Sequence, residues 1–466
     1  MQRSDRWYLA SAPIGRALIH LALPMAAAMV VGAIHNVINA GFLGSQNNTA
    51  FIAAVTFGTP ILGLMMAIGN VFGVGGGAMI SRLLGALEHQ SAPSDEIKRV
   101  SSFTLWGAVV AGIAFAAIGL LLLQPLVAVV GTTSQAFEAT SGYIGVMLAF
   151  LPVLAGAMAL EQIVRSQGAA RQAMIGMCLA TLGNLVFDIV FILILHWGTA
   201  GAAVALGLGN LGSILYWSCW LNRNSSDVSL SPRWFTLASN VAKPVLSVGF
   251  SELLGFVFMI LTTLVLNNLA ANYGDGPIAA MGVAVRIAQV PEFLIMGITV
   301  GILPLLAYAF GKGDSKRLSS GMRASAVAIG AVSLFFFAVI LIFCGQIIPV
   351  FLPDSSMLTL AVTIVTAQLV AMLANGFTGL ITSLFQASGL ALPAMLMSVA
   401  QGVLFIPIVI LGNLLFGLPG IIWSLTTTEV LVLIFAIILW LVSRRRINDE
   451  LRATAAAEDT LALAVV

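Results

Sequence analysis

Charge is what this sequence has least of. Only 8% of its 466 residues are Asp, Glu, Lys or Arg, where a soluble domain carries about a quarter. A water-facing surface cannot be built from so few charges, so most of the chain must face lipid or other helices. Cysteine is scarce as well. Cys178, Cys219 and Cys344 are an odd number set in apolar runs, giving neither a disulfide framework nor a zinc spacing. The four histidines are scattered, so neither a metal site nor the nucleophile–base set of a bilayer-embedded enzyme is expected. No nucleotide-binding loop is present. Gly73-Val74-Gly75-Gly76-Gly77 lacks the Lys-Ser/Thr of a phosphate loop. Gly207-Leu208-Gly209-Asn210-Leu211-Gly212 spells a dinucleotide fingerprint, but inside an apolar helix with no strand before it. Any active transport must therefore draw on an ion gradient, with no cofactor. A net charge of +2 offers nucleic acid no electrostatic footing. The N-terminal residues lack the layout of a cleavable signal, so the first hydrophobic helix is expected to act as its own insertion signal.

What the sequence has in abundance is apolar length: 60% of residues are hydrophobic and the mean hydropathy is +1.06. A spanning helix needs roughly 20 apolar residues. Twelve such runs can be read, at 17–43, 51–83, 100–123, 138–163, 171–196, 199–221, 242–270, 277–310, 322–349, 358–386, 391–415 and 418–443. The fold expected is an all-α integral membrane protein. Alternate connections hold the basic residues: Arg3, Arg6 and Arg16; Arg82, Lys98 and Arg99; Arg165 and Arg171; Arg223, Arg233 and Lys243; Lys312, Lys316, Arg317 and Arg323; and Arg444, Arg445, Arg446 and Arg452. The intervening connections have none, and the one remaining basic residue, Arg286, lies inside a helix. The positive-inside rule then places the basic connections and both termini in the cytoplasm of a multi-pass protein, with a bacterial inner membrane expected.

The chain also repeats itself. At a shift of 226, Ile52-Ala53-Ala54 falls on Ile278-Ala279-Ala280, Val74-Gly75 on Val300-Gly301, and Gly85 on Gly311. A longer first-copy loop changes the shift to 218, matching Lys98-Arg99 with Lys316-Arg317. At 221, Gly168 meets Gly389 and Ala173-Met174 meets Ala394-Met395. An even number of helices per copy makes the two repeats parallel, related by an axis along the membrane normal. The boundaries read are a six-helix lobe over 1–221, a cytoplasmic linker over 222–241, a second six-helix lobe over 242–446, and an Ala-rich, weakly patterned and mobile tail over 447–466.

These motifs resemble the multidrug and toxic compound extrusion (MATE) family, and within it the MepA-like branch. The resemblance is carried by Pro13-Ile14-Gly15-Arg16, Leu23-Pro24 and His35-Asn36-Val37-Ile38-Asn39 ahead of Gly44. It continues in Arg165-Ser166-Gln167-Gly168 with Met174, and in Asn184 and Asp188 followed by Gly201-Ala202-Ala203. In the second copy it is carried by Gly301 with Pro304, Gln386-Ala387-Ser388-Gly389, and Gln401 with Pro407. It implies two lobes forming an outward V and ion-coupled export of amphipathic, often cationic, substrates by a protein expected to be a monomer. The sequence departs from the family at two places: Asn39 replaces a first-helix Asp, and Leu206 replaces a Thr on the sixth helix.

An ionisable group inside a membrane helix costs about 2.5–3.5 kcal/mol on insertion scales and calls for a reason. Asp188 stands one turn after Asn184, on the same helical face, and Asn39 and Tyr143 should reach similar depth. Tyr143 also matches a tyrosine near the family's first-lobe site. These four are the candidate coupling site. With one carboxylate where related sites offer two, a proton is favoured over sodium. The repeat partners, Phe405 and Val409, are apolar, so the site belongs to one copy only. Glu161 should pair with Arg165 at i,i+4, with a structural or a transport role. Glu252 lies where MepA-like proteins often carry a Glu. Arg286 is expected to pair with Glu429, with Glu292 on the same helix as Arg286. Asn375 and Gln401 are candidates for the second-lobe cavity, and His35, where the family often has Tyr, for packing or titration. The alternative reading is a lipid-linked oligosaccharide flippase of the same superfamily. A lone intramembrane cation argues against it, because pyrophosphate calls for several.

Overall fold

The computed structural model describes residues 5–45, 49–88, 94–129, 136–351 and 357–464. They are overwhelmingly helical, and none of the described residues is in a strand. A short helix, α1 (Asp5–Ala10), precedes the first span. The first repeat then contains α2 (Ile14–Ser45), α3 (Thr49–Leu87), α4 (Ser94–Leu121), the short α5 (Leu123–Val129), α6 (Phe137–Ala149), α7 (Leu151–Ser166), α8 (Ala170–Asp188) and α9 (Gly198–Asn224). The second contains α10 (Ser239–Ala271), α11 (Asp275–Gly311), α12 (Ser315–Phe351), α13 (Leu358–Ser388), α14 (Ala391–Phe416) and α15 (Leu418–Ala464). Eleven described helices are long and apolar enough to span, and the pair α6/α7 makes a twelfth span bent by 51°.

That bend departs from the single helix expected at 138–163. Pro152 is the second residue of α7. A proline has no N–H to give the preceding turn, and its ring disfavours helical geometry in the residue before it. The helix therefore breaks at Phe150, whose φ of −88° and ψ of 0° depart from helical geometry. A second difference lies at the C-terminus. Residues 447–464, read as a weakly patterned tail, continue α15. The run holds no Gly or Pro after Gly420 and is rich in Ala, the best helix former. Ile447 and Leu451, one turn apart, bury themselves in the main core, and Arg446 pairs with Glu450 at 3.0 Å.

The packing repeats as the sequence does. In the first copy α2 packs on α8, α3 on α4 and α7, and α8 on α9. In the second α10 packs on α14, α11 on α12 and α13, and α14 on α15. Between the copies α3 crosses α10 while α11 crosses α2, and α3 meets α11. Glycine makes the last contact possible. A Cβ on Gly85 would strike the carbonyl oxygen of Tyr308, and one on Gly311 would strike that of Arg82. A shift of 226 carries Gly85 onto Gly311 and Arg82 onto Tyr308, turning one contact into the other, so the interface itself obeys the two-fold relation. It lies at the end of the bundle carrying the basic connections, the basic end.

The hydrophobic core follows the same division. One cluster joins both repeats, running from Leu21, Met25 and Leu84 to Leu305 and Tyr308, and on into α12 and α13. The far part of the first repeat has its own core, with Met65, Tyr143, Met147 and Ile192. The far part of the second has another, with Phe405, Val409 and Ile421. The copies are thus fused at the basic end and separately packed beyond it. The connection between α9 and α10 is pinned under α4. Ser101 and Ser102 hydroxyls donate to the Ser229 and Ser231 carbonyls at 3.1 and 2.9 Å, and the Trp106 indole donates to that of Leu230 at 2.9 Å.

Candidate functional site

Three polar clusters interrupt the apolar interior. The first lies near the end of α8, eighteen residues and so about 27 Å from its basic-end start. Asp188 is 0% exposed. The Asn39 amide nitrogen, from α2, donates to Asp188 Oδ2 at 2.9 Å. The Asn184 amide is oriented by its partners. Its nitrogen donates to the same Oδ2 at 2.7 Å and to His35 Nε2 at 3.1 Å, while its oxygen accepts from the Leu206 N–H at 3.3 Å. His35 Nε2 is also 3.5 Å from Asp188 Oδ2. Asp188 Oδ1 is buried without a partner among the described residues. Immediately after Asp188 the helix widens into a π-turn, Ile189–Ile194, a local irregularity that frequently accompanies functional positions.

A cavity of about 500 Å³ lies inside the first repeat. His35, Asn39, Tyr143, Asn184, Leu206 and, toward the basic end, Glu161 line it. Asp188 does not line it. The carboxylate stands behind His35, Asn39 and Asn184. Tyr143 packs against Gly58 and makes no hydrogen bond to Asp188 among the described residues.

The second cluster bridges the repeats at the basic end. Arg165 pairs with Glu161 at 3.3 Å, as its spacing required, and also donates to Gln162. Across the interface Glu252 faces Arg165 and accepts from the Gln386 amide at 2.7 Å, and the same amide donates to Ser251 Oγ at 3.4 Å. The third cluster is in the second repeat. Glu429 Oε1 accepts from Gln401 Nε2 at 2.6 Å, and Asn375 abuts the same carboxylate. Glu292 accepts from Gln368 Nε2 at 3.1 Å.

The expected pairing of Arg286 with Glu429 is not formed. Arg286 is on the exposed face of α11 and makes no ion pair among the described residues, whereas Glu429 is buried and one of its oxygens accepts from Gln401. Counting depth along two helices placed both at one level, but depth says nothing of which way a helix face points. Gln401 lines the second-repeat cavity, as expected. Asn375 stands behind it, against Glu429.

A model of the MatE family matches residues 23–190 and 251–411, one segment in each repeat. The chain belongs to the MatE family. Its relatives include the multidrug export protein MepA of Staphylococcus aureus, 30% identical over 97% of this chain and 98% of that protein. The MepA of Staphylococcus saprophyticus shows the same identity and coverage. Among solved structures, an outward-facing multidrug resistance MATE transporter superposes with a TM-score of 0.86 at 22% identity, over 97% of this chain and 99% of that one. A MOP-superfamily transporter from Pyrococcus furiosus gives the same score, identity and coverage.

Within the MatE fold, the departures from the family's pattern become concrete. Asn39 presents an amide nitrogen to Asp188 where the family pattern has a second carboxylate. Leu206 offers only its backbone N–H, to Asn184. Three amides, Gln162, Gln368 and Gln386, escaped the sequence reading as site members. Gln386 was noted only as part of a motif. Gln368 was missed, although it stands seven residues before Asn375 on α13, a spacing that puts both on one face.

Proposed function

We propose that this MatE-family protein is a proton-coupled exporter of amphipathic, cationic small molecules, working by alternating access in the cell membrane with its basic end in the cytoplasm. The family and the MepA relatives support multidrug export. The charge partition of the connections supports the orientation. The reading of the ion rests on one observation. The Asp188 carboxylate is approached by two amide N–H groups, from Asn39 and Asn184, and by His35. Sodium is a hard cation that wants oxygen lone pairs around it. Here the neighbouring positions present donors. A proton needs only one basic atom and a route.

His35 supplies the route. It is the titratable side chain that both lines the cavity and touches Asp188. A proton arriving from the cavity binds the neutral imidazole, whose Nε2–H then points at Asp188 Oδ2. Asn184, whose amide nitrogen had donated to both Nε2 and Oδ2, then keeps only its bond to Oδ2. Passing the proton on neutralises the carboxylate, removes the charge that held Asn39 and Asn184, and loosens α2 against α8. The structure is fused at the basic end, so the fused interface is the element that this local change would bias.

The flippase alternative loses support from the cavities. The residues lining them include no Lys or Arg, and Arg286 lines neither. The test is ethidium efflux from proteoliposomes with each gradient imposed alone. A pH gradient is expected to drive export in sodium-free buffer. Export driven by sodium alone, and not by pH, would refute the assignment of the ion.

A further inference from the structure

The second-repeat cavity, about 560 Å³, has a property the first lacks. Its wall carries two carboxylates, Glu252 and Glu429, and no Lys, Arg or His. Glu252 is already engaged by Gln386 and faces Arg165. Among the described residues Glu429 pairs with no such cation. It is 2% exposed, Gln401 satisfies one of its oxygens, and the other is buried with no partner among the described residues. Glu292, on α11, adds a second negative charge within electrostatic reach. A buried carboxylate held only by neutral amides calls for a positive partner. The lining also has an apolar, polarisable part, formed by Phe256, Phe258, Phe405, Met259 and Met296. Aromatic faces attract cations, and methionines adapt to varied shapes. The volume falls within the roughly 300–1,000 Å³ of small-molecule sites. Gln401 and Met259 are both exposed, which gives the cavity an accessible mouth.

We propose that this cavity is the cargo site, taking a monovalent aromatic organic cation with its charge at Glu429 and its rings among Phe256, Phe258 and Phe405. The inference rests on the reading that the protein exports such cations, and adds that cargo and coupling ion occupy different repeats. In the first-repeat cavity the lining carboxylate, Glu161, is already paired with Arg165, so that cavity offers a cation no unpaired charge on its wall.

Two glycines allow a matched test. Gly32 lines the first cavity, and a Cβ there meets nothing within 4 Å; Gly255 lines the second, and its nearest neighbour would be Ser398 Oγ at 3.8 Å. Leucine at either position fills its cavity without disturbing a helix, since leucine is a better helix former than glycine. Ethidium binding to the purified full-length protein in detergent is followed by fluorescence polarisation. Gly255→Leu and Glu429→Gln are each expected to weaken binding at least tenfold, while Gly32→Leu stays within threefold of the unaltered protein. If Glu429→Gln does not fold, the leucine pair decides alone. Loss in Gly32→Leu with retention in Gly255→Leu would overturn the site and leave cationic export standing. Failure of the unaltered protein to bind ethidium would instead overturn the cationic-cargo reading and this site with it.

Discussion

Replacing Gly311 by alanine should pry the two repeats apart at the basic end. The glycine lies where α11 crosses α3, and the added methyl would collide with the carbonyl oxygen of Arg82. Ordinary carbon–oxygen contacts are about 3.3 Å or more, so the backbones must separate by on the order of 1 Å. Neither partner is a flexible side-chain end that can swing aside. Overpacking of this kind costs about 1–3 kcal/mol. Here the penalty falls only on the arrangement closed at the basic end, so it shifts the equilibrium away from that arrangement by about 5- to 150-fold. The assay is a spin-label distance measurement between Arg99→Cys on α4 and Ser319→Cys on α12, both exposed, in a background lacking Cys178, Cys219 and Cys344. The distribution should broaden toward longer distances in Gly311→Ala, and in Gly85→Ala at the symmetry-related contact. An unchanged distribution in both variants would show that the glycine crossing does not hold the repeats together.

Asn39→Asp places a second carboxylate where an amide now donates to Asp188 at 2.9 Å. Sodium-driven efflux, expected to be negligible in the parent, should then become measurable in proteoliposomes; an unchanged sodium response would mean that Asn39 and Asp188 do not form one ion site. His35→Phe keeps a ring of similar size but removes the proposed relay. Proton-driven ethidium efflux should fall at least tenfold with normal membrane levels of protein, and full activity would remove His35 from the route. A cysteine at Asn272, between α10 and α11, should react with an impermeant maleimide from outside intact cells, and one at Ser319 only after permeabilisation. The reverse pattern would overturn the orientation drawn from the basic connections.

Much of the architecture was legible because the bilayer imposes simple demands. Apolar length marks the spans, and the alternation of basic loops confirms their number. The shift of 226 anticipated an interface in which Gly85 and Gly311 play equivalent parts, since a repeated glycine marks a repeated close approach. The bend at Phe150 was also written in the sequence, in Pro152, but a run of apolar residues on both sides masks it. The sites were harder to read. Asp188 with Asn184 and Asn39 followed from helical spacing and depth. Arg286 and Glu429 share a depth and failed to meet, because rotation about a helix axis is set by packing that no single helix encodes. Gln368 and the π-turn after Asp188 carry no local signal. Nothing in Ile189-Val190-Phe191-Ile192 distinguishes a widened turn from an ordinary one.

The central claim is that cargo is exchanged for protons carried at Asp188. Proteoliposomes loaded with a pH-sensitive dye, in sodium-free buffer with no imposed pH gradient, test it directly. Ethidium added outside should enter down its own gradient and drive protons out, so the lumen turns alkaline. The response should vanish in Asp188→Asn. Ethidium uptake without proton movement, or a proton response that survives in Asp188→Asn, would contradict the account.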